Sequence, residues 1–327
     1  MKDGKTKRLR QKTFVFFAAS QLLAVILIIA LAEIGMMIAR RHIREKYDVV
    51  IQSKCPDDLG TPRAEKGPNF FIFAVGDSHT WGVGAVPDKS YPKQFMNLIC
   101  ERQADALPDL TIVARPGWNS AQALTGLKSA MGINPADPAD TGLEQRIDLM
   151  VICVGKNNDH NLLGVEYFNA AVDQVPDSVA LERLLEKSGA YQLSKITRSR
   201  IRQLLTKDIK AIAESTCVLC REDEPFLRQW LEHDYREMIM LGRAKGARIV
   251  LMNYFEIVDY VDETMMEIAE SDKDLIFVDN HNFNLPPPYY TKPFQAPCTH
   301  PNEKGYARIA THLYDSLEAQ GWLPGYP

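Results

Sequence analysis

Five short apolar segments, separated by stretches with helical patterning, constrain the fold of this 327-residue chain more than any other feature. They lie at residues 70–75, 110–114, 149–154, 248–254 and 275–279. Each segment is rich in Val, Ile, Leu or Phe and lacks the strict apolar–polar alternation of a strand with one exposed face. Such runs are typical of strands that are buried on both faces of a parallel sheet.

The stretches between and after these strands predict helices at residues 91–104, 120–131, 225–244, 263–271 and 302–319. Alternating β and α units predict an α/β fold of three layers, with a parallel sheet between two layers of helices. About 90 residues separate the third strand from the fourth, far more than an ordinary connection. We interpret residues 160–223, approximately, as a helical insertion over one end of the sheet. It is either a substrate lid or an elaboration of the fold.

The N-terminus predicts a membrane segment. Residues 14–32 carry no charge, and after Glu33 the apolar run continues to residue 39. A helix over residues 14–39 would be about 39 Å long at about 1.5 Å per residue, which is enough to cross a bilayer with some tilt. The alternative is a cleaved signal peptide, because Ala30-Leu31-Ala32 resembles a cleavage site.

This segment divides the chain into four predicted parts. A basic tail at residues 1–13 precedes the transmembrane helix at 14–39, a stalk at 40–68 follows, and a folded domain occupies 69–327. Six Lys or Arg residues precede the helix and four follow it closely. This excess of cations predicts that the tail is cytoplasmic and the folded domain is extracytoplasmic.

The distribution of charge excludes one class of partner. Residues 1–46 carry ten basic and three acidic residues, a net charge of +7, and the whole chain carries −4. The rest of the chain therefore carries −11. A body this acidic argues against a nucleic-acid-binding protein, because neutralising phosphates needs clustered cations.

The six cysteines leave several arrangements open. An extracytoplasmic domain permits disulfides, but the sequence does not decide which cysteines pair. Cys217 and Cys220 form a lone C-x-x-C without the second pair that a zinc site needs, so we expect a local bridge or two unpaired thiols. Cys153 lies inside an apolar strand and is predicted to fill the core.

Polar residues follow the predicted strands at the edge of the sheet where ligands of α/β proteins bind. Ser78 follows the first strand in a Gly-Asp-Ser turn, Gly117 follows the second, and Asn157 follows the third. His300 precedes the last helix. Acyl transfer needs a nucleophile, a general base and oxyanion donors, and these four residues include all three.

The four blocks together resemble those of the SGNH hydrolase superfamily, the GDSL-type esterases and lipases. Gly76-Asp77-Ser78, Gly117, Gly155-Lys156-Asn157 and His300-Pro301-Asn302 match its blocks in order. The resemblance covers about residues 69–322 and implies a flavodoxin-like sheet. It also implies that Ser78 is the nucleophile and His300 the base. The oxyanion hole would consist of the N–H groups of Ser78 and Gly117 and the side chain of Asn157.

Two positions depart from the family pattern. The aspartate that usually lies three residues before the histidine is replaced by Pro297, so the third member of a triad is in doubt. Asn158 stands where an aspartate commonly follows the family's asparagine, which is expected to affect only the bonding of a loop.

Three further residues near these blocks have open roles. His79 adjoins Ser78 in a turn and is poorly placed to be its base. Trp81 and Trp118 flank the predicted site and either contact substrate or pack beneath a loop.

The sequence therefore predicts a membrane-anchored serine esterase or acylhydrolase that forms an acyl-enzyme on Ser78. Its substrate would be an ester-bearing small molecule, lipid or glycan, and no cofactor or metal is expected. An O-acyltransferase or deacetylase acting on a cell-envelope glycan is one alternative. A non-catalytic anchored binding protein of the same fold is the other.

Overall fold

The computed structural model of the chain has a six-stranded sheet at its centre. The structure describes residues 20–38, 41, 49–55, 69–103, 106–133, 146–159, 161–162, several positions between 181 and 197, 224–282 and 300–324. The predicted basic tail at 1–13, most of the predicted insertion, the Cys217–Cys220 pair and Pro297 lie outside these residues.

Five strands of the sheet are the predicted ones, and they are parallel to one another. The strands in chain order are β1 (Val50–Lys54), β2 (Asn69–Gly76), β3 (Leu107–Ala114), β4 (Leu149–Cys153), β5 (Arg248–Met252) and β6 (Leu275–Val278). Their spatial order is β1-β3-β2-β4-β5-β6. All five side chains of β4 are buried, as expected for a central strand covered on both faces, and Cys153 is confirmed as part of the core.

One strand corrects the predicted stalk at residues 40–68. Val50–Lys54 forms β1, which pairs antiparallel with β3 from Val50 opposite Val113 to Lys54 opposite Asp109. The sheet is therefore mixed, not entirely parallel. Residues of β1 alternate between exposed and half-buried, which is the pattern of an edge strand. The sequence analysis missed β1 because its five residues mix apolar and polar side chains. Such a segment forms a strand only where the edge of a sheet is available for pairing.

The described helices in chain order are α1 (Ser20–Ile38), α2 (Ser78–Trp81), α3 (Tyr91–Arg102), α4 (Ser120–Ala130), α5 (Glu224–Ala244), α6 (Asp259–Ser271) and α7 (Glu303–Ala319). Helices α3 to α7 form two layers with the sheet between them, so the predicted three-layer fold is confirmed. In one layer α3 packs against α7, whereas in the other α5 packs against both α4 and α6.

The register of the sheet brings three strand ends level. Gly76, the last residue of β2, lies opposite Ala114 at the end of β3 and Cys153 at the end of β4. The segments that follow these strands therefore leave the sheet side by side. This alignment is what places the sequence blocks around Ser78, Gly117 and Asn157 at one edge.

Helix α1 is long and apolar enough to cross a membrane, with 19 residues and a mean hydropathy of 2.4. None of its span is buried against the rest of the protein. Near its end the carboxylate of Glu33 accepts hydrogen bonds from Ser188 Oγ and from the N–H groups of Gly189 and Ala190, at 2.7–3.1 Å. Part of the predicted insertion therefore contacts the end of this helix.

A disulfide joins the edge strand to the domain. Cys55, directly after β1, is bonded to Cys100 in α3, with a separation of 45 residues in sequence and 6.0 Å between the Cα atoms. The sequence left the pairing of the cysteines open, and the structure decides this one pair.

Replacing both Cys55 and Cys100 with Ser is expected to lower the free energy of unfolding by about 4 kcal/mol, because a cross-link across a loop of this length restricts the unfolded chain. Denaturant unfolding of the full chain in detergent measures the change. Dithiothreitol should destabilise the wild type by a similar amount and leave the double variant unaffected. Equal stability of the two proteins without reductant would contradict the prediction.

Candidate active site

Ser78 is presented at the carboxyl end of β2 by a close turn into α2. A Cβ atom at Gly76 would collide with the Thr80 side chain and the carbonyl oxygen of Cys153, so only glycine fits where this turn begins. Asp77 then caps α2, and its Oδ1 accepts a hydrogen bond from the His79 N–H at 2.9 Å. Ser78 is consequently the first residue of the helix.

The structure brings His300 to Ser78. His300 Nε2 lies 2.8 Å from Ser78 Oγ, although 222 residues separate the two in sequence. His300 stands just before α7, whose N-terminus is capped by Asn302. Helix α7 is tied to the segment after α2 because the Tyr306 hydroxyl donates to the carbonyl oxygen of Val83 at 2.7 Å.

Asn157 connects the segments that carry the other two predicted oxyanion donors. Its side-chain N–H₂ donates to the carbonyl oxygen of Trp118 at 2.7 Å and to Asp77 Oδ2 at 3.3 Å. Trp118 directly follows Gly117, and Asp77 directly precedes Ser78. The side chain of Asn157 therefore lies between the two backbone segments with which it is predicted to act.

Backbone donors remain available at both positions. The N–H groups of Ser78 and Gly117 donate no hydrogen bond to any residue that the structure describes. Gly117 has a φ of +81°, a conformation that favours glycine, and the space beside its Cα is open. An oxyanion hole requires N–H groups that are free to donate to the carbonyl oxygen of the substrate.

A buried carboxylate, that of Asp77, connects the segments that carry the predicted site residues. Asp77 is fully buried, and its Oδ2 accepts the hydroxyl of Tyr254 at 2.6 Å. Burial by itself raises the pKa of Asp77, but hydrogen bonds from His79 and Tyr254 outweigh it, so the pKa stays below its ordinary value. Asp77 is thus an ionised acceptor that ties together the ends of β2, β4 and β5.

Asn158 differs from Asn157 in what it binds. Its Oδ1 accepts the N–H of Ser120 at 2.9 Å, and its Nδ2 donates to Ser120 Oγ at 2.7 Å. Ser120 Oγ in turn donates to Asp234 Oδ2, whose pKa is raised by burial. Asn158 therefore anchors the loop after β4 to α4 and α5, in agreement with the expected effect on loop bonding.

Both tryptophans that flank the site pack against the hydrophobic core. The ring of Trp118 lies so close to Gly126 of α4 that a Cβ atom there would collide with it. Packing therefore accounts for the position of Trp118, and substrate contact by Trp81 or Trp118 stays a prediction.

Sequence reasoning missed the residues after β5. Tyr254 binds Asp77, and Glu256 forms an ion pair with Lys156, the residue before Asn157. Their position at the carboxyl end of a predicted parallel strand was the available signal. No family block marked them, so nothing in the sequence distinguished them from ordinary loop residues.

Comparison with known protein families finds one match. The model of the GDSL-like lipase/acylhydrolase family matches residues 74–308. None of the curated protein sequences matches the chain significantly.

Similar solved structures include a family 3 carbohydrate esterase from Clostridium thermocellum, with 13% identity over 77% of this chain and 97% of the other and a TM-score of 0.43. A psychrotrophic esterase from Pseudoalteromonas sp. has 14% identity over 76% and 97%, with a TM-score of 0.40. A lipase/acylhydrolase from Enterococcus faecalis has 13% identity over 77% and 96%, with a TM-score of 0.41. At these identities the likeness concerns the fold alone.

Proposed function

Because the chain belongs to the GDSL-like lipase/acylhydrolase family, we propose that this serine hydrolase cleaves carboxylic esters through an acyl intermediate on Ser78. The observation that carries the proposal is the 2.8 Å distance between His300 Nε2 and Ser78 Oγ. A serine hydroxyl becomes a useful nucleophile only when an adjacent base accepts its proton.

The proposed reaction has two halves. Ser78 Oγ attacks the ester carbonyl carbon while its proton passes to His300 Nε2, and the imidazolium then protonates the departing alcohol as the carbon–oxygen bond breaks. Water next attacks the acyl carbon and gives a proton to His300, after which the bond from that carbon to Ser78 Oγ breaks, His300 returns the proton to Oγ, and the acid leaves. The same two residues serve both halves, and no cofactor enters either.

The negative charge that develops on the carbonyl oxygen would be stabilised by three donors. These are the N–H groups of Ser78 and Gly117 and the side-chain N–H₂ of Asn157. The hydrogen bond from Asn157 Nδ2 to Asp77 Oδ2 is long, at 3.3 Å, and therefore weak. The N–H of Asn157 that makes this bond can donate to a substrate instead.

Replacing Asn157 with Ala is expected to lower kcat by about 10²–10³-fold, the usual effect of losing one oxyanion donor. Steady-state hydrolysis of a chromogenic ester measures it. Asn158→Ala is the matched control, because it removes buried hydrogen bonds to Ser120 but no donor at the site. That control should lower stability and keep kcat within a few-fold of wild type. An Asn157→Ala enzyme with an unchanged kcat would remove Asn157 from the mechanism.

The absence of an aspartate at Pro297 requires another acceptor for His300. A backbone carbonyl or a neutral side chain that accepts from Nδ1–H would hold the ring in the tautomer that leaves Nε2 free to take the proton. Such an acceptor adds no charge to stabilise the imidazolium, so we expect modest turnover. Pro297 lies outside the described residues.

The acyl acceptor separates the proposal from its first alternative, an O-acyltransferase or deacetylase acting on a cell-envelope glycan. An esterase transfers the acyl group to water, whereas a transferase prefers a sugar hydroxyl. Product analysis with and without glycan fragments, using an acetylated donor, distinguishes them. The second alternative, a non-catalytic binding protein, predicts neither hydrolysis nor labelling of Ser78 by a fluorophosphonate probe.

We also propose that α1 anchors the enzyme in the cell membrane with its catalytic domain outside the cytoplasm. Support comes from the exposed apolar surface of α1, the excess of cations before it, and the Cys55–Cys100 disulfide, which is stable in an oxidising compartment. Protease added to intact spheroplasts should degrade the domain. Full protection would reverse the orientation, and a mature chain that begins after Ala32 would show signal-peptide cleavage instead.

A further inference from the structure

His79 is a buried histidine that the proposed reaction does not use. Only 4% of its surface is exposed, and neither ring nitrogen makes a hydrogen bond to a residue that the structure describes. Three rings surround it instead. The ring of His300 lies 4.8 Å away between centroids and tilted by 35°, Tyr254 lies 4.8 Å away edge-on, and Phe255 lies 5.7 Å away.

The charged groups around His79 lie beyond hydrogen-bonding distance. Its Nδ1 is 3.7 Å from Asp77 Oδ1, and its Nε2 is 3.9 Å from Glu256 Oε1, which is paired with Lys156. Burial and the positive charge of Lys156 together lower the pKa of His79 more than the Asp77 carboxylate raises it. His79 is therefore neutral near pH 7, and it does not repel the positive charge that His300 gains when it accepts the Ser78 proton.

The contact with His300 matters because this ring carries the nitrogen that lies 2.8 Å from Ser78 Oγ. A carboxylate partner fixes both the tautomer and the plane of a catalytic imidazole. At the family's aspartate position this chain has Pro297, which carries no carboxylate. The described residue whose ring packs against that of His300 is His79.

We propose that His79 is a positioning residue, whose ring supports the His300 imidazole and keeps Nε2 directed at Ser78 Oγ. The inference rests on the proposed function of Ser78 and His300. His79 forms no bond in the reaction and transfers no proton. Its contribution is the aromatic contact, which restrains the ring plane of His300, while the acceptor of Nδ1–H sets the tautomer.

Two variants distinguish the contribution of the aromatic ring of His79 from the contribution of its ring nitrogens. His79→Ala removes the supporting ring and is expected to lower kcat by about 10- to 100-fold, the cost of a misplaced catalytic group, with KM within about twofold of wild type. His79→Phe keeps an aromatic ring of similar size in the same pocket and should restore kcat to within about threefold of wild type. A kcat in His79→Phe as low as in His79→Ala would overturn the inference.

A loss of stability alone must be distinguished from a loss of positioning. Tyr91→Phe removes a buried hydroxyl that lies 3.2 Å from the Oγ1 atom of Thr80, the residue that follows His79 in α2. This control should lower Tm and leave kcat unchanged. If Tyr91→Phe and His79→Ala show similar decreases in Tm and similar decreases in kcat, the positioning role is overturned.

Crystal structures of the two His79 variants test the inference without any assay of activity. The distance from His300 Nε2 to Ser78 Oγ should exceed 3.5 Å, or His300 should occupy a second rotamer, in His79→Ala only. That result in an enzyme without ester turnover would retain the positioning role and reject the proposed function. An undisplaced His300 and a wild-type kcat in His79→Ala would reject the positioning role and retain the function.

Discussion

Replacing Ser78 with Ala is expected to lower kcat for ester hydrolysis by about 10⁶-fold, as when the nucleophile of a serine hydrolase is removed. Without Oγ, no acyl intermediate can form, and His300 has no proton to accept. The fold should tolerate the change, because the hydrogen bond of this hydroxyl is to His300 and its loss leaves the caps of α2 intact. Turnover of a chromogenic ester by the full chain in detergent measures the effect.

Labelling by a fluorophosphonate probe gives a second measurement for Ser78, because the probe reacts with an activated serine. Wild type should be labelled and Ser78→Ala should not. Ser90→Ala is the matched control, since Ser90 is a fully buried serine at the start of α3, near the same turn. It should keep both labelling and turnover. Equal labelling of Ser78→Ala and wild type would place the reactive serine elsewhere.

Replacing His300 with Ala is expected to lower kcat by about 10⁵–10⁶-fold, because nucleophile and base act as a unit and losing either removes most of the catalysis. Ser78 would then have to attack as an unassisted hydroxyl. Labelling by the fluorophosphonate should slow in parallel, since it needs the same base. The rates of turnover and of labelling, measured on one preparation, check both expectations.

His312→Ala is the control for His300. His312 lies in α7, the helix that follows His300, and is half-buried, so its replacement perturbs the same element without touching Ser78. This variant should keep kcat within a few-fold of wild type. A His300→Ala enzyme with the turnover of His312→Ala would exclude His300 as the base.

Much of the fold could be predicted because its signals are local. Leu149–Cys153 is apolar throughout, which is typical of a central strand in a sheet that is covered on both faces. The candidate site followed from the same reasoning, since parallel strands all end at one edge. Ser78 and Asn157 therefore come together whenever β2 and β4 are neighbours, and the register of Gly76 opposite Cys153 shows that they are.

Features that depend on distant partners could not be predicted. Val50–Lys54 is a strand because it pairs with the free edge of β3, and neither the length nor the composition of this segment indicates that pairing. The cysteine pairing was open for the same reason. Cys55 and Cys100 are bonded because β1 lies beside β3 and α3 packs on that strand, which brings two Cα atoms to 6.0 Å.

The sequence by itself determined the α/β alternation and the apolar N-terminal helix, because each follows from a local pattern, and its resemblance to a family predicted that Ser78, Gly117, Asn157 and His300 form the site. Only the tertiary structure decided what His79 contacts. Next to Ser78 in the sequence it is an ordinary turn residue, but folding brings Tyr254, Phe255 and His300 around its ring. Burial and ring packing depend on residues far along the chain, and no local pattern encodes such contacts.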